Sequence, residues 1–248
     1  MLLANRLQLS GAQLSSFVLG IFLPSLTEEF GLTPLEAGLL QGVWWFTWAL
    51  TLGPFAIVFS KFRPVNLVQL SLILLIPFII LQGMSQSFYV LIGMRFFTIL
   101  FHSMGVPARP LLFRQWAAPK DYGVINAVGL SLHSILLGVA ISTSALLIGM
   151  IGSWRMAFFL HALVMLVHAG LWPIVTKSGF EGQGVREITK DLKGALPASA
   201  LKDYPQGWVV AVVMFALASM YSAVVTFLPS LLLEARELSL SVGGILIS

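Results

Sequence analysis

The chain has 248 residues, of which 58% are hydrophobic and only 10% charged, and its mean hydropathy is +0.93. Soluble domains carry about 25% charged residues, so this composition excludes an ordinary soluble protein and indicates a membrane protein. The absence of cysteine excludes disulfides, thiolate metal ligands and a thiol nucleophile. The net charge of +4 comes from basic residues in short loops between apolar segments, a pattern that sets membrane orientation and provides no surface for nucleic acid.

Apolar segments of about 20 residues can cross the hydrocarbon core of a bilayer. The sequence contains seven such segments and the beginning of an eighth, which predicts an all-α, polytopic protein embedded in the lipid bilayer. The predicted spans are residues 3–26, 35–59, 67–84, 88–113, 123–150, 156–175 and 208–232, and the incomplete eighth is 240–248.

The loops between the predicted spans differ in charge. Basic residues predominate on one side of the membrane, and acidic residues such as Glu28, Glu29 and Glu36 lie on the other, where Arg155 and Arg236 are isolated exceptions. Because cytoplasmic loops are enriched in Lys and Arg, this pattern predicts a cytoplasmic N-terminus and a cytoplasmic 176–207 segment, in a plasma (inner) membrane.

Residues 176–207 form the one predicted linker. Apolar residues recur there at helical spacing beside basic ones, which favours a short amphipathic helix on the inner membrane surface, with a solvated tether as the alternative. The chain therefore divides into a six-span bundle (1–175), a cytoplasmic linker (176–207) and the start of a second bundle (208–248).

An internal repeat supports this division. The sequence Phe-Leu-Pro-Ser-Leu occurs at 22–26 and again at 227–231, and Glu29 corresponds to Glu234 at the same offset. Six spans, a linker and a restart are typical of transporters built from parallel repeats. On that plan Ser248 falls about four spans short of a complete twelve-span protein, so we expect a second bundle to be required for a complete pathway.

Three features carry a resemblance to a known family. They are the Gly-Ser-Trp-Arg-Met-Ala-Phe-Phe turn at 152–159, the segment 23–33, and Arg95 in the fourth span. In these features the chain resembles the major facilitator superfamily over its first seven spans. It departs from the family pattern at the loop between spans two and three, where Ser60 and Arg63 replace the usual aspartate and second glycine. The resemblance implies that spans one, four and seven border a central pathway.

The fourth span carries the strongest candidate site. Arg95, Thr98, His102 and Arg109 fall on one helical face. An ionised side chain inside a bilayer costs at least about 2.5 kcal/mol, so we expect this face to contact protein or water. Arg95 would anchor an anionic substrate group, or alternatively would bond backbone carbonyls as a structural arginine. No Asp or Glu lies in the middle of any predicted span, which favours the anionic ligand.

Other polar residues could complete the translocation site. His102 and His133 would bind substrate or relay protons, or else would be neutral histidines bonded to neighbouring helices. The predicted substrate-binding and translocation residues are Arg95, Thr98, His102, Gln13, Asn126, His133 and Ser222.

Two further groups have structural interpretations. Trp44, Trp45 and Trp48 with Gln41 form an aromatic patch on span two that we expect to pack on protein, although it could line a vestibule. His161 and His168 share a face of span six, but no carboxylate or thiol accompanies them, so we expect no metal site.

The sequence also lacks a nucleotide-binding loop, an HExxH motif and a credible nucleophile–base pair, so we expect no enzyme activity and no cofactor. We therefore predict a gradient-driven secondary transporter, a symporter or antiporter, for a small organic solute, with an anion favoured and protons as a possible coupling ion. The alternatives are a non-transporting seven-span receptor or assembly protein, and an inert transporter fragment.

Overall fold

The computed structural model of the chain describes residues 18–59, 62–116 and 119–177, together with scattered residues between 209 and 231. The helices in these ranges are α1 (Leu19–Phe30), α2 (Pro34–Phe59), α3 (Pro64–Gly83), α4 (Phe88–Met104), α5 (Ala108–Trp116), α6 (Tyr122–Ile151) and α7 (Trp154–Lys177), with a 3₁₀ turn at Pro119–Asp121. The prediction of an all-α membrane protein is confirmed.

Four segments of the described chain are long and apolar enough to cross a membrane. They are Pro64–Gly83, Phe88–Leu112, Tyr122–Ile151 and Trp154–Thr176, and they correspond to predicted spans three to six. The 26-residue α2 covers predicted span two. Residues 3–17 of span one, the linker from residue 178 onward and the incomplete eighth span lie outside the described residues, so the division into two bundles stays a prediction.

The helix ends follow from local sequence. Gly31, at φ +62°, ends α1 in the left-handed conformation that glycine adopts without strain. Thr33 and Glu36 then form a capping box at the start of α2, because the Glu36 carboxylate accepts from the Thr33 N–H at 2.9 Å and the Thr33 hydroxyl accepts from the Glu36 N–H at 3.3 Å. These caps fix the turn that reverses the chain between the first two spans.

The fourth span is not the single continuous helix that the sequence predicted. Helix α4 ends at Met104, and α5 begins at Ala108 after a turn at residues 105–107. Pro107 has no backbone N–H and disfavours helical geometry at the preceding residue, which explains the interruption. The turn puts His102 in the last turn of α4.

Helix α3 occupies the centre of the packing. It lies against α4 on one side and α7 on the other, while α2 packs on α4. Two polar contacts tie α3 to α7: the Trp172 indole donates to the Val65 carbonyl, and the Gln69 amide to the Ala169 carbonyl, both at 3.1 Å. Helix α6 packs less closely and exposes apolar side chains, which suits a surface in contact with lipid.

Candidate functional site

Arg95 is 1% exposed and lies between α4 and α2. Its Nε donates to the Leu40 carbonyl at 2.6 Å, and its Nη2 donates to the Gln41 amide oxygen at 3.3 Å. The guanidinium therefore faces protein, as expected for a cation at this depth. The Leu40 contact is also the carbonyl bond that the structural interpretation of Arg95 predicted.

Thr98 lies one turn further along the same face and is buried. Its hydroxyl accepts from the Gln82 amide nitrogen at 2.7 Å and donates to the Met94 carbonyl at 2.9 Å. Gln82 comes from α3 and was absent from the predicted site. Its signal in the sequence was an amide near the end of a mainly apolar span that also carries Gln69 and Ser71.

His102 is completely buried, and two neighbouring tryptophan rings of α2 lie against its imidazole. The Trp48 ring stacks on the imidazole with centroids 6.0 Å apart and 16° between planes, and the Trp44 ring lies at 5.7 Å and 32°. Within the described part of the chain, neither imidazole nitrogen has a hydrogen-bond partner. Trp44 and Trp48 of the span-two patch therefore pack on protein, with this histidine as one of their contacts.

A further polar pair follows at the same interface. The Thr51 hydroxyl of α2 donates to the Ser103 hydroxyl of α4 at 2.8 Å, and both residues are buried. Together with Gln41–Arg95 and Gln82–Thr98, this pair forms a polar seam along α4, which we define as Arg95, Thr98, His102 and Ser103 with their partners Gln41, Gln82 and Thr51. The seam therefore places the Arg95 guanidinium among buried hydrogen-bonding side chains.

The remaining predicted site residues are not part of this seam. Asn126 is exposed and His133 half-buried, both on α6. Gln13 and Ser222 lie outside the described residues. Arg109 is buried on α5, beyond the turn, so it keeps the inward orientation that the helical pattern predicted. Whether these residues share one translocation site stays a prediction.

A charged cluster that the sequence did not predict lies at the opposite end of the bundle from α5. Arg155 Nη1 donates to Glu29 Oε2 at 2.8 Å, the Trp154 indole donates to the same oxygen at 2.8 Å, and Arg155 Nη2 donates to the Ser85 carbonyl at 3.1 Å. The hydrogen bond from Arg155, followed by that from Trp154, holds the pKa of Glu29 below its usual value. From the sequence Arg155 was an isolated exception to the charge pattern; the structure pairs it.

The sequence profile of the Major Facilitator Superfamily matches residues 8–248. Comparison with curated proteins gave no significant match. Among solved structures, the chain is similar to a bacterial homologue of the human lysosomal transporter Spinster, in an inward-facing and occupied conformation, with a TM-score of 0.77 and 18% identity over 98% of this chain. It is also similar to a D-xylose–proton symporter, with a TM-score of 0.61 and 12% identity over 99% of this chain. The chain spans 56% and 64% of the length of these two proteins.

Proposed function

Because this chain belongs to the Major Facilitator Superfamily, we propose that it forms part of a secondary active transporter that moves a small organic solute across the membrane by alternating access. In such proteins two bundles rock about a site near the middle of the bilayer and expose it to each side in turn. The likeness in fold to a transporter and to a symporter supports this proposal. The described helices would supply most of one bundle.

The substrate is proposed to be an organic anion, and the observation that carries this is the burial of Arg95. Two of its hydrogen bonds go to the Leu40 carbonyl and the Gln41 amide oxygen, so the guanidinium is held at the buried interface between α2 and α4. A planar guanidinium grips a carboxylate or phosphate at two points. The contact with Gln41, at 3.3 Å, is longer than the usual 2.9 to 3.0 Å, and it is the bond that an anion would replace.

Proton coupling is proposed to act through His102 or His133. For His102, the aromatic faces of Trp44 and Trp48 would stabilise an imidazolium by cation–π attraction, since each ring lies within about 6 Å. The Arg95 and His102 side chains lie two turns apart on α4, close enough for a bound anion and a bound proton to influence each other through their charges. His133, half-buried on α6, is the second proton carrier in this proposal.

The proposed orientation puts the N-terminus and the 176–207 segment in the cytoplasm of a cell with this protein in its plasma membrane. The natural absence of cysteine makes this directly testable, because single cysteines can be introduced at the exposed residues Gln86 and Lys120. We expect a membrane-impermeant maleimide added to intact cells to label Gln86→Cys and to spare Lys120→Cys. Labelling of Lys120→Cys with protection of Gln86→Cys would indicate the opposite orientation in the membrane and contradict this proposal.

Transport is tested by reconstituting the full-length protein that contains this chain and a second bundle in proteoliposomes, and by measuring uptake of a panel of carboxylates, phosphates and neutral sugars. We expect saturable uptake of at least one anion, its loss in Arg95→Ala, and partial retention in Arg95→Lys, which keeps the charge but lacks the planar fork. Lys120→Ala is the matched control, because Lys120 is an exposed cation outside the seam.

Two results would contradict the proposal. One is an absence of saturable uptake of any compound by the wild-type protein. The other is anion uptake by Arg95→Ala equal to that of the wild type, with both proteins eluting as monodisperse particles. If a neutral sugar were the only compound transported, the protein would be a transporter but the proposed anionic substrate would be wrong.

A further inference from the structure

A cavity of about 150 Å³ lies among α1, α6 and α7, away from the seam on α4. One wall is aromatic, because the rings of Phe22 on α1 and Phe158 on α7 contact each other with centroids 5.5 Å apart. Ala140 of α6 and Ala157 of α7 also line it. An apolar cavity of about this size in another protein holds one benzene molecule and stays dry without it, so the volume suits a hydrocarbon group of about six carbons.

The lining of the cavity favours an uncharged occupant. Among the lining residues, all of them in the described part of the chain, there is no Asp, Glu, Lys or Arg. Thr143 is an exposed polar residue of the lining, but its hydroxyl already donates to the Val139 carbonyl at 2.7 Å. Ser144 and His161 add one small hydroxyl and one imidazole. A charged group would lose its hydration here without gaining a partner of opposite charge, which is costly.

The depth of the cavity in the membrane follows from the ends of the three helices. Helix α1 ends at Phe30, α6 ends at Ile151 and α7 begins at Trp154, and the Phe30 and Trp154 rings lie 6.0 Å apart at this common end. At a rise of about 1.5 Å per residue, Phe22 lies about 12 Å and Val164 about 15 Å from it. Half of the hydrocarbon core is about 15 Å thick, so the cavity lies where the acyl chains of one leaflet approach their ends.

The cavity opens between α6 and α7. Leu160 and Val164, which line it at this opening, are 40% and 44% exposed. They belong to an exposed face of α7 that is built from large aliphatic side chains. Interfaces between membrane helices are instead enriched in small residues, so this face suits contact with lipid. We call it the aliphatic stripe of α7, and it consists of Leu160, Leu163, Val164, Val167 and Leu171.

The face of α6 that suits another helix points away from the cavity. Ala127, Ser131 and Ser134 are exposed and recur at helical spacing, and small residues of this kind let two membrane helices approach closely. At about 100° per residue, this face lies on the opposite side of α6 from Ala140 and Thr143, which line the cavity. A second bundle packed on the small residues would therefore leave the cavity open to lipid.

We propose that the cavity binds the end of an acyl chain from a lipid of the surrounding leaflet. The chain end packs against Phe22 and Phe158, and the rest of the chain follows the aliphatic stripe of α7 toward the membrane surface. Binding is driven by dispersion contacts with the cavity wall, since lipid chains and the wall are equally apolar. Acyl chains are the abundant apolar molecules at this depth, so mass action favours them. The site is separate from Arg95 and does not depend on the proposed transport function.

The test is photolabelling of the full-length protein that contains this chain, in phosphatidylcholine nanodiscs, with a phosphatidylcholine that carries a diazirine near the end of one acyl chain. Mass spectrometry identifies the labelled residues. We expect labelling of Phe22 and Ala157, which are 2% and 7% exposed and line the cavity. Labelling confined to exposed residues such as Leu163 and Val167 would show a lipid that passes over the surface, and it would overturn the proposal.

A cavity-filling variant separates binding in the cavity from general contact with lipid. Ala140→Phe should lower the labelling of Phe22 and Ala157 at least fivefold, because the new ring occupies the cavity, while labelling of the aliphatic stripe stays the same. Ile135→Phe is the matched control, since it adds a ring at a 63%-exposed position of the same helix and should label as the wild type does.

If Ala140→Phe fails to fold, Ala140→Leu fills part of the cavity with a smaller side chain and should lower the same labelling at least twofold. Undiminished labelling of Phe22 and Ala157 in a folded cavity-filling variant would overturn the proposal. An equal decrease in Ile135→Phe would do so too, because it would show that the loss does not depend on the cavity.

Discussion

Arg155 and Glu29 are 126 residues apart in the chain, and the guanidinium of one grips both carboxylate oxygens of the other. The same guanidinium lies 4.4 Å from the centre of the Trp154 ring and donates to the carbonyl of Ser85. This single side chain therefore ties the end of α1 to the turn before α4 and to the start of α7. It adds a polar tie to helices that also pack through apolar contacts.

The first prediction concerns this cluster. Arg155→Gln removes the paired hydrogen bonds, but both side chains are about one-third exposed, so solvent screening limits the loss. We expect a decrease of about 1 kcal/mol or less in the free energy of unfolding, seen as a fall of about 2 to 4 °C in the unfolding midpoint followed by tryptophan fluorescence. Lys120→Gln, at an exposed cation, should leave the midpoint unchanged; an equal shift in both variants would contradict the assignment.

The second prediction concerns pH. Hydrogen bonding from Arg155 lowers the pKa of Glu29 below 4.5, so its ionised form stabilises the fold above that value and this contribution is lost as the pH falls through the lower folded pKa. The difference in unfolding midpoint between the wild type and Glu29→Gln should be constant from about pH 7 to 5 and shrink below about 4.5. Glu28→Gln serves as the control. A difference that grows on acidification would refute the pairing.

The third prediction concerns the contact between α3 and α7. A Cβ atom at Gly83 would lie 3.2 Å from the Arg155 carbonyl oxygen, the Phe158 Cβ and the Phe159 ring. Gly83→Val should therefore lower the free energy of unfolding by about 1 to 3 kcal/mol, as overpacking does elsewhere. Gly93 on α4 has no atom within 4 Å of such a Cβ, so Gly93→Val should have a much smaller effect. Equal losses at the two sites would show that helix propensity, and not the contact, is responsible.

The fourth prediction is a coupling between Gln82 and Thr98, whose side chains are joined by a 2.7 Å hydrogen bond between α3 and α4. In a double-mutant cycle with Gln82→Met and Thr98→Val, we expect a coupling free energy of about 0.6 kcal/mol, because hydrogen bonds between membrane helices have averaged about that value. Unfolding in mixed micelles measures the four proteins. Strictly additive effects of the two substitutions would mean that the bond contributes nothing to stability.

The fifth prediction compares two aromatic residues of α2. Trp44 is 1% exposed and packs on the imidazole of His102, whereas Phe46 is 63% exposed. Trp44→Ala should lower the free energy of unfolding by about 3 to 5 kcal/mol, the usual loss for a buried large aromatic, and Phe46→Ala by less than about 0.5 kcal/mol. Thermal unfolding of both variants checks this. A milder effect at Trp44 than at Phe46 would contradict the described packing.

The inward-facing side of the fourth span could be predicted because it depends only on residues within that span. Arg95, Thr98 and His102 are polar groups in an apolar helix, and their spacing, with about 3.6 residues per turn, puts them on one side. Gln41 and the tryptophans near it were visible as a patch, but nothing in the sequence assigned Gln41 to Arg95 or Trp48 to His102. Those pairings depend on the rotation and depth of α2 against α4, which residues far apart in sequence fix together.

Helix continuity was predicted less well than helix position. Hydrophobicity predicted one span over residues 88–113, and the structure keeps such a span at Phe88–Leu112 but interrupts its helix just before Ala108, at Pro107. The length of an apolar segment therefore predicts where the chain crosses the membrane and not whether the helix is continuous. Arg155 was missed for a different reason. Arg155 stands at the start of α7, just outside the predicted span, where no periodic pattern indicates its partner, and Glu29 lies on another helix, 126 residues away.

The sequence by itself determined that this protein is helical and membrane-embedded and that a cation lies within a membrane span. The reason is that the free energy of moving a side chain from water to lipid depends on the type of residue, and the helical period then fixes which residues share a face. Only the tertiary structure decided which oxygens accept hydrogen bonds from Arg95, which tryptophan rings lie against His102, and which carboxylate pairs with Arg155. Each of these depends on how far the helices rotate and approach one another, and that is set by the packing of all of them at once.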